Sequence, residues 1–272
     1  MAVCCDTDAQ PALTVLWREG DWLAIHKPAG WLVHRTGLDA GETRFVVQTL
    51  RDQLGQHVFP VHRLDKGTSG VLLMGLSPDA ARAMAQQFAQ RQVHKRYLAM
   101  VRGWPAESLS VDHPLRPDDT PPDTPPQDAL THLRRLATWQ LDVPVDRYPH
   151  TRVALVEAQP ETGRRHQIRR HLKHIAHPII GDATHGKGAH NRWWAQHLGL
   201  QRLWLHATEL RLLHPADGRE VVLRSDPHDA VLNPDWHALL AQPWALHCSR
   251  CDPGGTSAPS RNSSAASMGS KW

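Results

Sequence analysis

Two short stretches of this 272-residue chain carry side chains whose types and spacing could do chemistry. The first is His62-Arg63-Leu64-Asp65-Lys66-Gly67-Thr68-Ser69-Gly70, where an acid stands between two cations in a turn rich in Gly, Ser and Thr. Such a turn can aim backbone amides at a carboxylate and lets a ligand approach closely. From composition alone the plainer reading is favoured: an Asp that closes the turn or pairs with Arg63. The second stretch is TGRRHQIRRHLKH, Thr162 to His174. From Glu161 to His174 five Arg or Lys face one Glu, a net of +4, which equals the formal charge of the whole chain. On a helix Arg165, Arg169 and Lys173 recur every fourth residue and share a face, with Arg164 and Arg170 on its flanks. Like charges so spaced repel, so an anionic partner is expected, phosphate or carboxylate; the alternative is a solvated helix face.

The histidines His166, His171, His174 and His177 invite a metal, but no HExxH pattern is present and the run holds no carboxylate before Asp182. No metal site is expected; RNA-facing or packing histidines account for the run. GxxxxGK[ST], GxGxxG and GxSxG are all absent, which removes the main support for nucleotide-driven, hydride-transfer and serine-hydrolase chemistry. The four cysteines, Cys4, Cys5, Cys248 and Cys251, suggest no disulfide framework. A zinc site shared by the two pairs is disfavoured by the adjacent Cys-Cys spacing.

These stretches need a scaffold. Leu13, Val15 and Trp17, then Gly20-Asp21, then Leu23 to Ile25 predict a strand, a turn and a strand, ending at Lys27-Pro28-Ala29-Gly30. HVFPVHRLD and SGVLLMGLS predict strands on either side of a loop at 63–70. Ser77-Pro78-Asp79 is a helix start, and Ala80, Met84 and Phe88 give that helix one apolar stripe as far as Gln92. RYLAMVRG and RVALVEAQP read as strands, 163–175 as a short basic helix, RLWLHATELRLLHP with REVVLR as a hairpin, and 234–246 as a last helix. Six prolines between Pro114 and Pro126 require an exposed, stiff loop, placed at 105–128. Strands and helices alternate without a regular βαβ rhythm, so the class is α+β. A flexible start at 1–12, one domain at 13–247 and a disordered Ser-rich tail at 248–272 complete the expected organisation. No run of 18 apolar residues and no signal sequence is present, so a soluble protein of a reducing cytoplasm is expected, with no membrane partner.

HRLDKGTSGVLLMGLS resembles the HRLDxxTSG motif of the RluA-type pseudouridine synthases, and GRRHQIRRHLKHIAHPIIGDATHG resembles their GRxHQIRxH…PIxGD motif. DWLAIHKPAGWLVHR is similar to the family's KPxG segment and HKRYLAMVRG to its KxY strand. The four occur in family order over roughly residues 13–215, and the segments GWLVHR, GQHVFPVHRLD, RRHLKHIAHPIIGD and RLWLHA resemble the branch acting on uridine 65 of tRNA. The resemblance implies the pseudouridine synthase fold, a central mixed, mostly antiparallel sheet with flanking helices and an RNA cleft across its middle. It implies a cofactor-free isomerisation of uridine to pseudouridine in structured RNA, with tRNA the expected substrate; other tRNA or rRNA uridines, or a non-catalytic RNA-binding module, are the alternatives. Asp65 would be the nucleophile or charge partner that lets uracil detach, rotate and rejoin through carbon 5. Arg169 would pair with it, since a guanidinium favours the ionised carboxylate and fixes its orientation. Tyr97 would stack on the flipped base, Arg63 would occupy the vacated space or hold phosphate, and Lys27 would shape the cleft. Lys66-Gly67 stands where the branch has Arg-Pro, which keeps the charge and loosens the loop. The Pro-rich insertion and the tail have no counterpart. With no basic accessory module before residue 13, recognition is expected from the catalytic domain, acting as a monomer.

Overall fold

The computed structural model describes residues 11–35, 41–118, 120–121 and 123–242. The four cysteines, the Ser-rich tail and all but the end of the expected flexible start lie outside them. The first hairpin forms as β1 (Val15–Glu19) and β2 (Trp22–Lys27). β3 (Phe59–Pro60) and β4 (Ser69–Gly75) flank the Asp65 loop. β5 (His94–Arg102), β6 (Ser108–Asp112), β7 (Leu130–Leu141), β8 (Thr151–Pro160), β9 (Leu205–Leu213) and β10 (Glu220–Arg224) complete one ten-stranded sheet. Its order is β1-β2-β4-β9-β5-β8-β7-β6, with β3 added to β4 and β10 to β9. Every pairing between these strands is antiparallel except β4 with β9, so the sheet is mixed and mostly antiparallel, and the class is α+β.

Five helices flank it: α1 (Val46–Leu54), α2 (Pro78–Ala89), α3 (Gln167–His174), α4 (Gly188–Leu198) and α5 (Pro234–Leu240). β4 is buried along its whole length because both its faces are covered. Leu72 and Met74 pack with Val46 and Leu50 of α1, and Val71 and Leu73 with Met84 of α2 and Val221 of β10. That is why SGVLLMG reads as an unbroken apolar run instead of alternating. A third, larger core lies under β5, β8 and β9, where α3, α4 and α5 bring Leu172, Trp194 and Trp236. Ser77 caps α2 as its sequence predicts, its hydroxyl accepting the Ala80 N–H at 3.2 Å.

The structure corrects several boundaries. The basic helix begins at Gln167, not at 163, because His166 sits in the left-handed region at φ 55° and cannot continue a helix backwards. Arg165 therefore shares no helix face with Arg169. The last helix stops at Leu240, and residues beyond 242 are outside the described ones. Part of the expected 105–128 loop is a strand, β6, paired along its length with β7. The strand expected across HVFPVHRLD is only the two residues of β3.

The two halves of the sheet meet where β4 and β9 run side by side, registered only at Ser69 with His206 and Gly70 with Ala207. Gly70 has φ +116°, and a Cβ there would lie 2.1 Å from the Ala207 carbonyl oxygen. Only glycine allows the halves to close, which gives the second Gly of the turn a physical reason.

Candidate active site

Asp65 lies on the loop that leaves this seam, and its backbone is fixed from below. The Thr68 N–H closes the turn on the Asp65 carbonyl at 3.0 Å. Lys27, at the end of β2, is fully buried, and its ammonium donates to the carbonyls of Pro28 (3.0 Å), Lys66 (3.1 Å) and Thr68 (2.7 Å). Burial lowers its pKa to about 7 against the opposing pull of the Asp65 charge. The downstream end of the loop is tied by Ser69, whose hydroxyl is hydrogen-bonded to His206 Nδ1 and accepts from Arg202, both at 2.8 Å. Arg202 in turn pairs with Asp235 at 2.9 Å. At Gly67 an added Cβ would lie 2.9 Å from the Leu203 Cβ, so glycine at this position follows from the close packing of Leu203. Lys66 pairs with Glu42 at the surface.

Across the cleft α3 delivers Arg169. Its Nη1 donates to Asp65 Oδ2 at 3.0 Å, while its Nε and Nη2 hold the two oxygens of Asp182 at 2.7 and 2.9 Å. Asp182 is fully buried and also accepts the N–H groups of Thr184 and His185. Burial works against the charge on both partners, but the hydrogen bonds and opposite charges outweigh it: the Arg169 pKa is raised and that of Asp182 lowered. The guanidinium is thus locked by a bidentate fork with one remaining edge presented to Asp65. Gln167 fixes the start of α3, donating to Leu130 O and Thr131 Oγ1 and accepting from Thr162 Oγ1 and the Arg164 N–H.

Tyr97 comes from β5, between Ala158 of β8 and Ala207 of β9. Burial and, to a smaller degree, the Asp65 charge raise its pKa, so the phenol stays protonated and polar only as a neutral group. Asp65, Arg169, Tyr97 and Arg63 all line one cleft of about 490 Å³, with Ile168, Leu205 and His166. Arg63 is exposed and, among the described residues, its side chain has no hydrogen-bond or ion-pair partner. The plain alternative of an Asp65–Arg63 pair is therefore not what forms; Asp65 pairs with Arg169, 104 residues away.

Sequence reasoning missed two residues of the site. Asp182 stands in PIIGD and carries no local signal beyond its motif. His166 lies 3.8 Å from Asp65 through Nε2 and is hydrogen-bonded to His185 at 3.2 Å through Nδ1; burial lowers its pKa. Three other histidines, His62, His171 and His174, make structural contacts. His62 accepts the Leu73 N–H, stacks on Phe88, and is pushed by burial to a pKa of about 3. His171 bridges Thr131 and the His113 carbonyl, and His174 stacks on His113. Among the described residues no group of three or more His, Cys, Asp or Glu is arranged to hold a metal, and no helix is long and apolar enough to cross a membrane.

Comparison with known proteins agrees with this geometry. The family model for RNA pseudouridylate synthase matches residues 21–174. The chain is 48% identical over 237 residues to tRNA pseudouridine synthase C of Salmonella typhi, covering 85% of this chain and 89% of that one. It is 45% identical to the protein of the same name from Vibrio cholerae, covering 85% and 95%. Among solved structures, human RNA pseudouridylate synthase domain containing 1 superposes with a TM-score of 0.63 at 27% identity, covering 82% of this chain and 87% of that one. A cleft holding an arginine-locked aspartate beside a half-buried tyrosine, in a chain matched over most of its length, has one family assignment: this chain belongs to the RNA pseudouridylate synthases.

Proposed function

We propose that this enzyme converts uridine to pseudouridine in tRNA, at uridine 65, with Asp65 as its catalytic residue and Arg63, Tyr97 and Arg169 as substrate-binding residues. The observation that carries the site assignment is the 3.0 Å contact of Arg169 with Asp65 at the floor of a cleft that Tyr97 also lines. The target base is flipped out of its stem, which costs roughly a few kcal/mol, and stacks on Tyr97. Asp65 then acts at the sugar as the bond from N1 to C1′ breaks. The uracil rotates within the cleft, its C5 bonds to C1′, the C5 proton leaves and N1 takes up a proton. Atoms balance with no cofactor consumed. Arg169 keeps Asp65 aimed throughout. Arg63, exposed and uncommitted, fills the space left by the base or holds a phosphate. The choice of tRNA is supported by the names of the bacterial relatives, and that of uridine 65 by the branch-like segments described above. The same reading takes the protein as a cytoplasmic monomer.

Asp65→Asn is the test. It keeps tRNA binding and abolishes tritium release from tRNA labelled at carbon 5 of uridine; full release by the variant would overturn the assignment. A non-catalytic RNA-binding protein would instead bind tRNA with steep salt dependence and leave every uridine unchanged, even as wild type.

A further inference from the structure

Arg165 and Arg170 occupy the two positions that the pattern GRxHQIRxH leaves open, and both face the same side chain. Asp118, on the Pro-rich loop, lies 3.5 Å from Arg165 Nε, 3.5 Å from Arg170 Nη1 and 3.9 Å from His166 Nδ1. Two backbone contacts tie that loop to the basic run: Arg170 Nη1 donates to the Arg116 carbonyl at 2.8 Å and Arg164 Nε to the Asp128 carbonyl at 3.0 Å. The other ring nitrogen of His166 is 3.8 Å from Asp65. One imidazole therefore stands between two carboxylates, Asp65 on the floor of the cleft and Asp118 at its mouth.

The contacts of Asp118 differ in kind from those on the floor. Its side chain is one-third exposed, and none of its three ion pairs is as short as a charge-assisted hydrogen bond of about 2.7–2.9 Å. It is a carboxylate held by charge and open to exchange. A nucleotide flipped toward Asp65 carries its backbone phosphate to the mouth of the cleft, and guanidinium groups that accept a carboxylate accept a phosphate with the same geometry.

We propose that Arg165 and Arg170, with His166, form a subsite for a backbone phosphate next to the flipped nucleotide, and that Asp118 fills this subsite as an internal stand-in until RNA displaces it. The inference rests on the proposed RNA substrate and adds to it the part of the RNA that is recognised. It also accounts for the Pro-rich insertion, which without RNA neutralises the cations that the sequence crowds together and which RNA must outcompete.

The test is equilibrium binding of full-length unmodified tRNA, by fluorescence anisotropy over a range of salt, to wild type, Asp118→Asn, Asp118→Ser, Arg170→Gln and the double variant Asp118→Asn/Arg170→Gln. Both Asp118 variants tighten binding about 3- to 10-fold at low salt, and the gain shrinks as salt rises. Arg170→Gln weakens binding, and in the double variant removal of Asp118 gains less than it does alone. Unchanged or weaker binding by both Asp118 variants overturns the subsite. Pseudouridine formation by the wild type is measured on the same tRNA: product without tightening sinks the subsite alone, whereas no product sinks the proposed function with it.

Discussion

The floor and the mouth of the cleft are both built of arginines and carboxylates, yet the two are held in opposite ways. On the floor, Arg169 and Asp182 are buried, bidentate and 2.7–2.9 Å apart, and Lys27 spends its three donors on backbone carbonyls. At the mouth, Arg63 is uncommitted and Arg165 and Arg170 meet Asp118 at 3.5 Å. Fixed charges in a desolvated site need no reorganisation when the reaction occurs, which is what the proposed action of Asp65 at the sugar requires. Exposed charges can exchange one anion for another at little cost, which is what binding and releasing RNA requires. Changes on the floor therefore lower kcat, and changes at the mouth alter KM and salt dependence.

The largest effect next to loss of Asp65 itself is expected from Asp182→Asn, which leaves Arg169 buried without its fork. kcat falls about 100-fold with KM little changed, in single-turnover and steady-state assays. The unfolding free energy falls by about 3 kcal/mol in urea titrations. Because the Asp182 pKa is lowered on folding, its stabilisation is complete above the ordinary value of 3.8 and is lost as pH falls below it; the variant lacks this acid-side loss. A fall in KM-dependent binding with kcat intact would place Asp182 with the mouth. Tyr97→Ala comes next: loss of a stacking platform worth about 1–3 kcal/mol lowers kcat/KM roughly 5- to 150-fold, while Tyr97→Phe, which keeps the ring, stays within about tenfold.

Lys27→Met is smaller and sharper. It removes the donor that gathers the Asp65 loop, and kcat falls about tenfold. The wild-type lysine falls from 10.5 to about 7 on folding, so the unfolded chain binds more protons between those values. Its contribution to stability rises with pH across that window, by up to about 1.4 kcal/mol per unit, and the difference between wild type and Lys27→Met measured at pH 7 and pH 9 shows it. A difference that does not change with pH would mean that the ammonium is not buried as described. The smallest effect belongs to Arg63→Ala: KM rises about threefold and stability is unchanged, since the side chain supports nothing in the protein.

Much of this contrast was legible in the residues, and the rest failed for definable reasons. The hairpin at Gly20-Asp21, the Ser77 cap and the β9–β10 pair carry local signals, and local signals were enough. β7 alternates, but a register shift between Arg135 and Ala137 breaks its period. α1 and α4 start at Phe45 and Lys187 without a side-chain cap, and α1 opens on two valines, so neither announces itself. In the site, the resemblance pointed to Asp65, Arg169, Tyr97 and Arg63. Asp182 and His166 were not found, because each meets its partner, Arg169 or Asp65, only in the folded chain. The crowded cations predicted an anionic partner, and the chain supplies one in Asp118. Of the 11 Trp, several serve the core, Trp194, Trp204 and Trp236 among them.

The most direct measurement is a map of pseudouridine in total tRNA from cells lacking this gene, then complemented with wild type or with Asp65→Asn. One pseudouridine, at uridine 65, is expected to vanish on deletion, to return with wild type, and to stay absent with Asp65→Asn. An unchanged map on deletion, or full restoration by the variant, would contradict the account.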